Sequence, residues 1–138
     1  GELKHVRILG PERSATQIEL AQTDCRNIGI KAPVRSSGDT KGTPGVTLRG
    51  PNSPLTVREG VMIADRHIHM TPAQAAAFGL ADGDRVQVKI DGPKPGVMGG
   101  VLIRANDKCA LDFHIDTDDG NAFLLKQGQL VTVLGKEE

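Results

Sequence analysis

The run Asp65-Arg66-His67-Ile68-His69 places two imidazoles two residues apart. On a β-strand, residues i and i+2 project from one face about 7 Å apart, so His67 and His69 can converge on a single metal ion. Leu111-Asp112-Phe113-His114-Ile115-Asp116 repeats the pattern, with Asp112, His114 and Asp116 on one face and Leu111, Phe113 and Ile115 on the other. His114 is therefore the natural third ligand, and three nitrogen donors with an open fourth position suit a catalytic zinc. Other readings share these residues. A solvated strand face shows the same alternation, a water activated in the open position would make the trio a zinc hydrolase, and a fourth protein ligand would make it the structural metal of a non-catalytic β-barrel module.

Two further residues could do chemistry. Thr16-Gln17-Ile18-Glu19-Leu20 alternates like a strand, and a carboxylate at Glu19 could hold a second metal. Arg13 follows the Gly10-Pro11 turn, from which a planar guanidinium could meet two phosphate oxygens; Ser36 and Ser37, in the glycine-rich loop from Arg35 to Gly45, could assist. Cys25 and Cys109 form no CxxC pair and have no histidine partner in sequence, so they read as small buried residues rather than nucleophiles or ligands.

The elements that must position these residues are short. Seventeen glycines and eight prolines punctuate runs such as Val6 to Leu9, Val46 to Leu48, Val61 to Ala64, Val86 to Ile90, Val101 to Ile103 and Leu130 to Leu134. This predicts a mainly β chain built as small barrels with few helices. One helix is well marked, with Thr71 as its cap, Pro72 in its first turn, Ala75-Ala76-Ala77 within it and Gly79 at its end. Thr23-Asp24-Cys25-Arg26-Asn27 and Thr117-Asp118-Asp119-Gly120-Asn121 share a TDxxN pattern, each after a short alternating strand, which suggests a duplicated unit. In the second copy the His67-Ile68-His69 motif precedes that strand. The same distance upstream of the first copy falls before residue 1, so the first unit is expected to lack its beginning.

Bulk composition narrows the partners. Seventeen basic and seventeen acidic residues cancel and aromatics are 2%, which leaves neither the charge excess nor the stacking groups of a nucleic-acid binder. No apolar run reaches the roughly 18 residues that span a bilayer, and two cysteines without a framework point to a reducing, cytoplasmic compartment.

Val6-Arg7-Ile8-Leu9-Gly10-Pro11-Glu12-Arg13-Ser14, Gln17-Ile18-Glu19, Ile30-Lys31-Ala32-Pro33-Val34-Arg35, Ala64 to Met70 and His114-Ile115-Asp116-Thr117-Asp118 together resemble the PduL-type phosphate acyltransferases, the phosphate propanoyltransferases. The blocks run in family order across nearly the whole chain. The resemblance implies two small β-barrels with short capping helices and two zinc ions, with His67, His69 and His114 on one zinc, Glu19 on the other and Arg13 beside phosphate. It also implies acyl transfer between coenzyme A and phosphate, with Arg7 and Asn121 as candidate coenzyme A contacts, a homo-oligomer, and a bacterial cytoplasmic location or residence in a microcompartment. Family members begin with a further HxH motif that completes the Glu19 metal site, which this sequence does not contain; His5 is single and cannot replace it. The expected division is a barrel over 1–98 carrying Arg13, Glu19 and the HxH motif, and the C-terminal part of a second, incomplete barrel over 99–138 carrying His114.

Overall fold

Val61-Met62-Ile63-Ala64, four apolar residues in succession, suits a strand covered on both faces, and the computed structural model, which describes residues 1–138, places it so. The chain divides into two compact units, 1–64 and 65–138. In the first, β1 (Ile18–Glu19) leads into α1 (Gln22–Ile28), followed by β2 (Val34–Arg35), β3 (Val46–Arg49), β4 (Pro54–Val57) and β5 (Val61–Ala64). Strand β5 lies between β1 and β2, parallel to both, which explains its unbroken apolar run. Leu20, Cys25, Val61 and Ile63 form the core of this unit, while β3 and β4 pair as a separate hairpin.

The second unit is a five-stranded sheet. It contains β6 (His67–Met70), α2 (Pro72–Ala77), β7 (Arg85–Ile90), β8 (Gly96–Ala105), β9 (Asp112–His114), α3 (Thr117–Ala122) and β10 (Thr132–Lys136), with strand order β10-β7-β8-β6-β9. Strand β7 alternates perfectly: Arg85, Gln87 and Lys89 face solvent, and Val86, Val88 and Ile90 are buried against Met70, Met98, Val101 and Ile103. Helix α2 begins at Thr71, whose hydroxyl accepts from the Gln74 amide while the Gln74 side chain reaches back to the Thr71 N–H, and Gly79 follows it with φ of 70°.

Several expectations change here. All three sheets are open: β1 and β2 are the edges of the three-stranded sheet, β9 and β10 those of the five-stranded sheet, and β3 and β4 pair only with each other, so neither unit is a closed barrel. Strand length and turn spacing give the mainly β character, but closure depends on whether the edge strands meet, which they do not encode. The units divide between Ala64 and Asp65, whereas 98 and 99, the expected boundary, lie inside β8. Val6 to Leu9 forms no strand, and Ile8 is 96% exposed. Both TDxxN segments do fold as short helices after short strands, although β1 pairs in parallel with β5 and β9 pairs antiparallel with β6. No helix is long and apolar enough to cross a membrane.

Candidate metal centre

The register of β6 against β9 assembles the histidines. His67 lies opposite His114, Ile68 opposite Phe113 and His69 opposite Asp112, so two same-face residues of one strand meet the cross-strand neighbour of the first. The pleat sends Ile68 into the core and leaves the imidazoles on the other face. Ring centroids are 4.6 Å apart for His67 and His69, 5.0 Å for His67 and His114, and 4.8 Å for His69 and His114. One ligand nitrogen from each lies within 4.8 Å of the others.

The surroundings are compatible with a metal site as well as with a hydrogen-bonded cluster. His67 Nδ1 lies 2.8 Å from the Asp65 carbonyl, which can only accept, so this nitrogen carries the proton and Nε2 is left as a lone-pair donor. His69 Nε2 is 3.1 Å from His67 Nε2. Two nitrogens on a tetrahedral zinc at about 2.0 to 2.1 Å are themselves about 3.3 Å apart, so this spacing fits a shared ion. Burial, then the neighbouring His67, His114 and Arg104, lower the His69 pKa against an opposing effect of Asp112, which favours the neutral form a metal requires. The half-exposed His114 has Asp112 Oδ2 3.2 Å from its Nε2.

Charged neighbours brace the strand that carries the pair. Arg66 donates to Asp119 of α3 at 2.9 Å and to the Gly99 carbonyl, and Arg85 donates to Asp65 at 2.6 Å. Asp116, expected on the polar face with His114, caps α3 instead, accepting from the Asp119 N–H at 2.8 Å. Cys109 is not buried as expected: it is partly exposed, with Sγ 3.2 Å from His69 Nδ1. Forty residues separate this pair, and no local pattern marks it.

The first unit collects a second polar group. Arg13 Nη1 donates to Ser37 Oγ at 2.8 Å, and Gln17 Nε2 donates both to Ser37 Oγ at 3.0 Å and to the Glu19 carboxylate. Gln17 Oε1 accepts from the Gly38 N–H at 2.7 Å. Arg13 and Glu19, read from sequence as separate candidates, are thus joined through Gln17 and Ser37, and Gln17 itself carried no signal as a site residue. Arg35 pairs with Asp39 at 3.2 Å, and its buried Nε has no partner. Arg7 is exposed in the segment before β1, and Asn121 is exposed on α3. Neither belongs to the histidine cluster.

Comparison with known proteins gives one consistent answer. The family model described as phosphate propanoyltransferase matches residues 1–126. The phosphate propanoyltransferase of Thermotoga maritima is 45% identical over 135 residues, covering 97% of this chain and 64% of that protein. Those of Citrobacter koseri and Salmonella typhimurium are 48% and 47% identical over 123 residues, covering 88% of this chain and 59% of each relative. The chain therefore spans about three fifths of the length of these relatives. With the histidine register and the Arg13 to Glu19 network in place, the match over 1–126 leads to one assignment: the chain belongs to the phosphate propanoyltransferase family.

Proposed function

We propose that the protein is a phosphate acyltransferase, exchanging a short acyl group such as propanoyl between coenzyme A and inorganic phosphate to give acyl phosphate and free coenzyme A. The observation that carries the reading is the convergence of His67, His69 and His114 in a chain matched by the phosphate propanoyltransferase model. These three residues would hold a zinc ion, and Glu19 would contribute a carboxylate to a second. Bound there, zinc supplies Lewis-acid stabilisation of negative charge at sulfur or at the acyl oxygen.

The chain's own groups have distinct tasks. Arg13 holds the phosphate anion with a fork of N–H donors, and Ser37 stands beside it. The unsatisfied Nε–H of Arg35 is a further donor that an anion would satisfy. A phosphate oxygen forms a bond to the thioester carbonyl carbon, the carbon–sulfur bond breaks, and coenzyme A departs as the thiolate. Phosphate is itself the nucleophile, so no serine or cysteine attack is needed, and holding the reactants in place supplies much of the acceleration. The Asp65 carbonyl keeps the His67 proton on Nδ1. Arg7 and Asn121 would contact coenzyme A, and the protein would work as a homo-oligomer in the bacterial cytoplasm or within a microcompartment.

Removal of metal by a chelator should abolish acyl transfer, and added zinc should restore it. The H67A/H69A/H114A variant should lose the zinc held by these residues. Unchanged zinc stoichiometry in that variant would overturn the metal assignment.

A further inference from the structure

The Gln17 side chain uses all of its hydrogen-bonding groups. Its Oε1 accepts from the Gly38 N–H at 2.7 Å, and its Nε2 donates to Ser37 Oγ at 3.0 Å and to the Glu19 carboxylate. The orientation of the amide is chemically fixed, because a backbone N–H can only donate and a carboxylate can only accept. Ser37 Oγ also receives a hydrogen bond from Arg13 Nη1 at 2.8 Å. A serine hydroxyl has two acceptor lone pairs and one hydrogen. With both lone pairs engaged by Gln17 and Arg13, the hydroxyl hydrogen must be given to some other acceptor.

We propose that Gln17 is the positioning residue of the phosphate site, making Ser37 an obligate hydrogen-bond donor beside the Arg13 guanidinium while tethering the 36–39 loop through Gly38. The inference rests on Arg13 being the phosphate ligand. Its chemistry selects an acceptor-rich anion: Ser37 O–H and the remaining Arg13 N–H groups are all donors, which suits the several acceptor oxygens of inorganic phosphate and offers nothing to a cation. Glu19 has a part in this arrangement whether or not it also binds metal, since its carboxylate pins the Nε2 end of the amide.

Gln17→Glu supplies the decisive variant, because it keeps the size of the side chain and reverses its logic. A carboxylate can still accept from the Gly38 N–H but cannot donate to Ser37. The Ser37 hydroxyl would turn inward and donate to the new carboxylate, and its hydrogen would be lost to the anion. Gln17→Met removes the polar groups without adding charge, and Ser37→Ala removes the hydroxyl from a loop outside the sheet.

Steady-state kinetics with inorganic phosphate and acyl-coenzyme A each varied is the test, with thermal melting to establish that each variant is folded. Gln17→Met and Ser37→Ala should each raise the phosphate KM about tenfold, and Gln17→Glu more, with the acyl-coenzyme A KM held within about twofold. Because Gln17 acts through Ser37, the Gln17→Met/Ser37→Ala double variant should be no worse than the weaker single variant by more than about twofold. If Arg13→Ala raises the phosphate KM while Gln17→Glu and Ser37→Ala leave it unchanged, Gln17 has no positioning role. Multiplying effects in the double variant would likewise overturn coupling through Ser37. If Arg13→Ala itself leaves phosphate kinetics untouched, the phosphate site lies elsewhere and this inference falls with it.

Discussion

Replacing Arg13 by lysine keeps its charge but removes the planar fork that can meet two phosphate oxygens at once. Arg13→Lys should therefore depress turnover and raise the phosphate KM while leaving the acyl-coenzyme A KM within a few fold. Arg13→Ala should be worse, losing about 2 to 4 kcal/mol in the transition state, or roughly 30- to 1,000-fold in rate. Kinetics with both substrates varied, followed through free thiol, will check this; near-normal phosphate kinetics in Arg13→Ala would reduce Arg13 to a structural partner of Ser37. The histidine trio could be read from sequence because strand periodicity puts His67 and His69 on one face, and the alternation around His114 points the same way. The roles of Gln17 and Cys109 could not, since their partners Gly38, Ser37 and His69 are reached only through the fold.

Strand β1, which carries Glu19, depends on Gly60. The Gly60 carbonyl accepts from the Ile18 N–H at 2.8 Å, its φ is 134°, and a Cβ there would lie 2.4 Å from the Thr16 carbonyl oxygen. Gly60→Ala should destabilise the first unit by about 3 kcal/mol, measurable by denaturant unfolding, because the backbone on both sides is fixed. An unaltered midpoint would show that the β1 to β5 junction adapts freely. In the second unit, Asp84 accepts from Lys136 at 2.7 Å and from the Ala81 N–H at 2.9 Å, and these bonds, the Lys136 bond foremost, lower its pKa. A carboxylate whose folded pKa is depressed contributes stability above its unfolded pKa and loses it as pH falls through the folded value. Asp84→Asn should therefore lower the melting temperature at neutral pH, and its difference from the parent should vanish under strongly acidic conditions; a difference independent of pH would exclude the charge as its cause. The elements themselves were legible where local chemistry is decisive, as in the alternation of β7 and the Thr71 cap of α2. Val6 to Leu9 misled because a β-branched run becomes a strand only when a neighbour supplies its hydrogen bonds.

At the scale of the molecule, composition and turn spacing announced a mainly β chain with few helices, but not the open edges of its sheets or the division at Ala64 and Asp65. Those depend on which strands find each other across long separations. His67 and His114 meet in this way: they are far apart in sequence and become neighbours through pairing of β6 and β9. Family membership rests on residues 1–126, and the relatives named above are longer than this chain. The most direct measurement is thiol release from propanoyl-coenzyme A with and without inorganic phosphate, alongside quantification of the acyl phosphate formed. If the protein is a phosphate acyltransferase, thiol release requires phosphate and each thiol is matched by one acyl phosphate. Thiol release at the same rate without phosphate, yielding free carboxylic acid, would contradict that reading and identify a hydrolase.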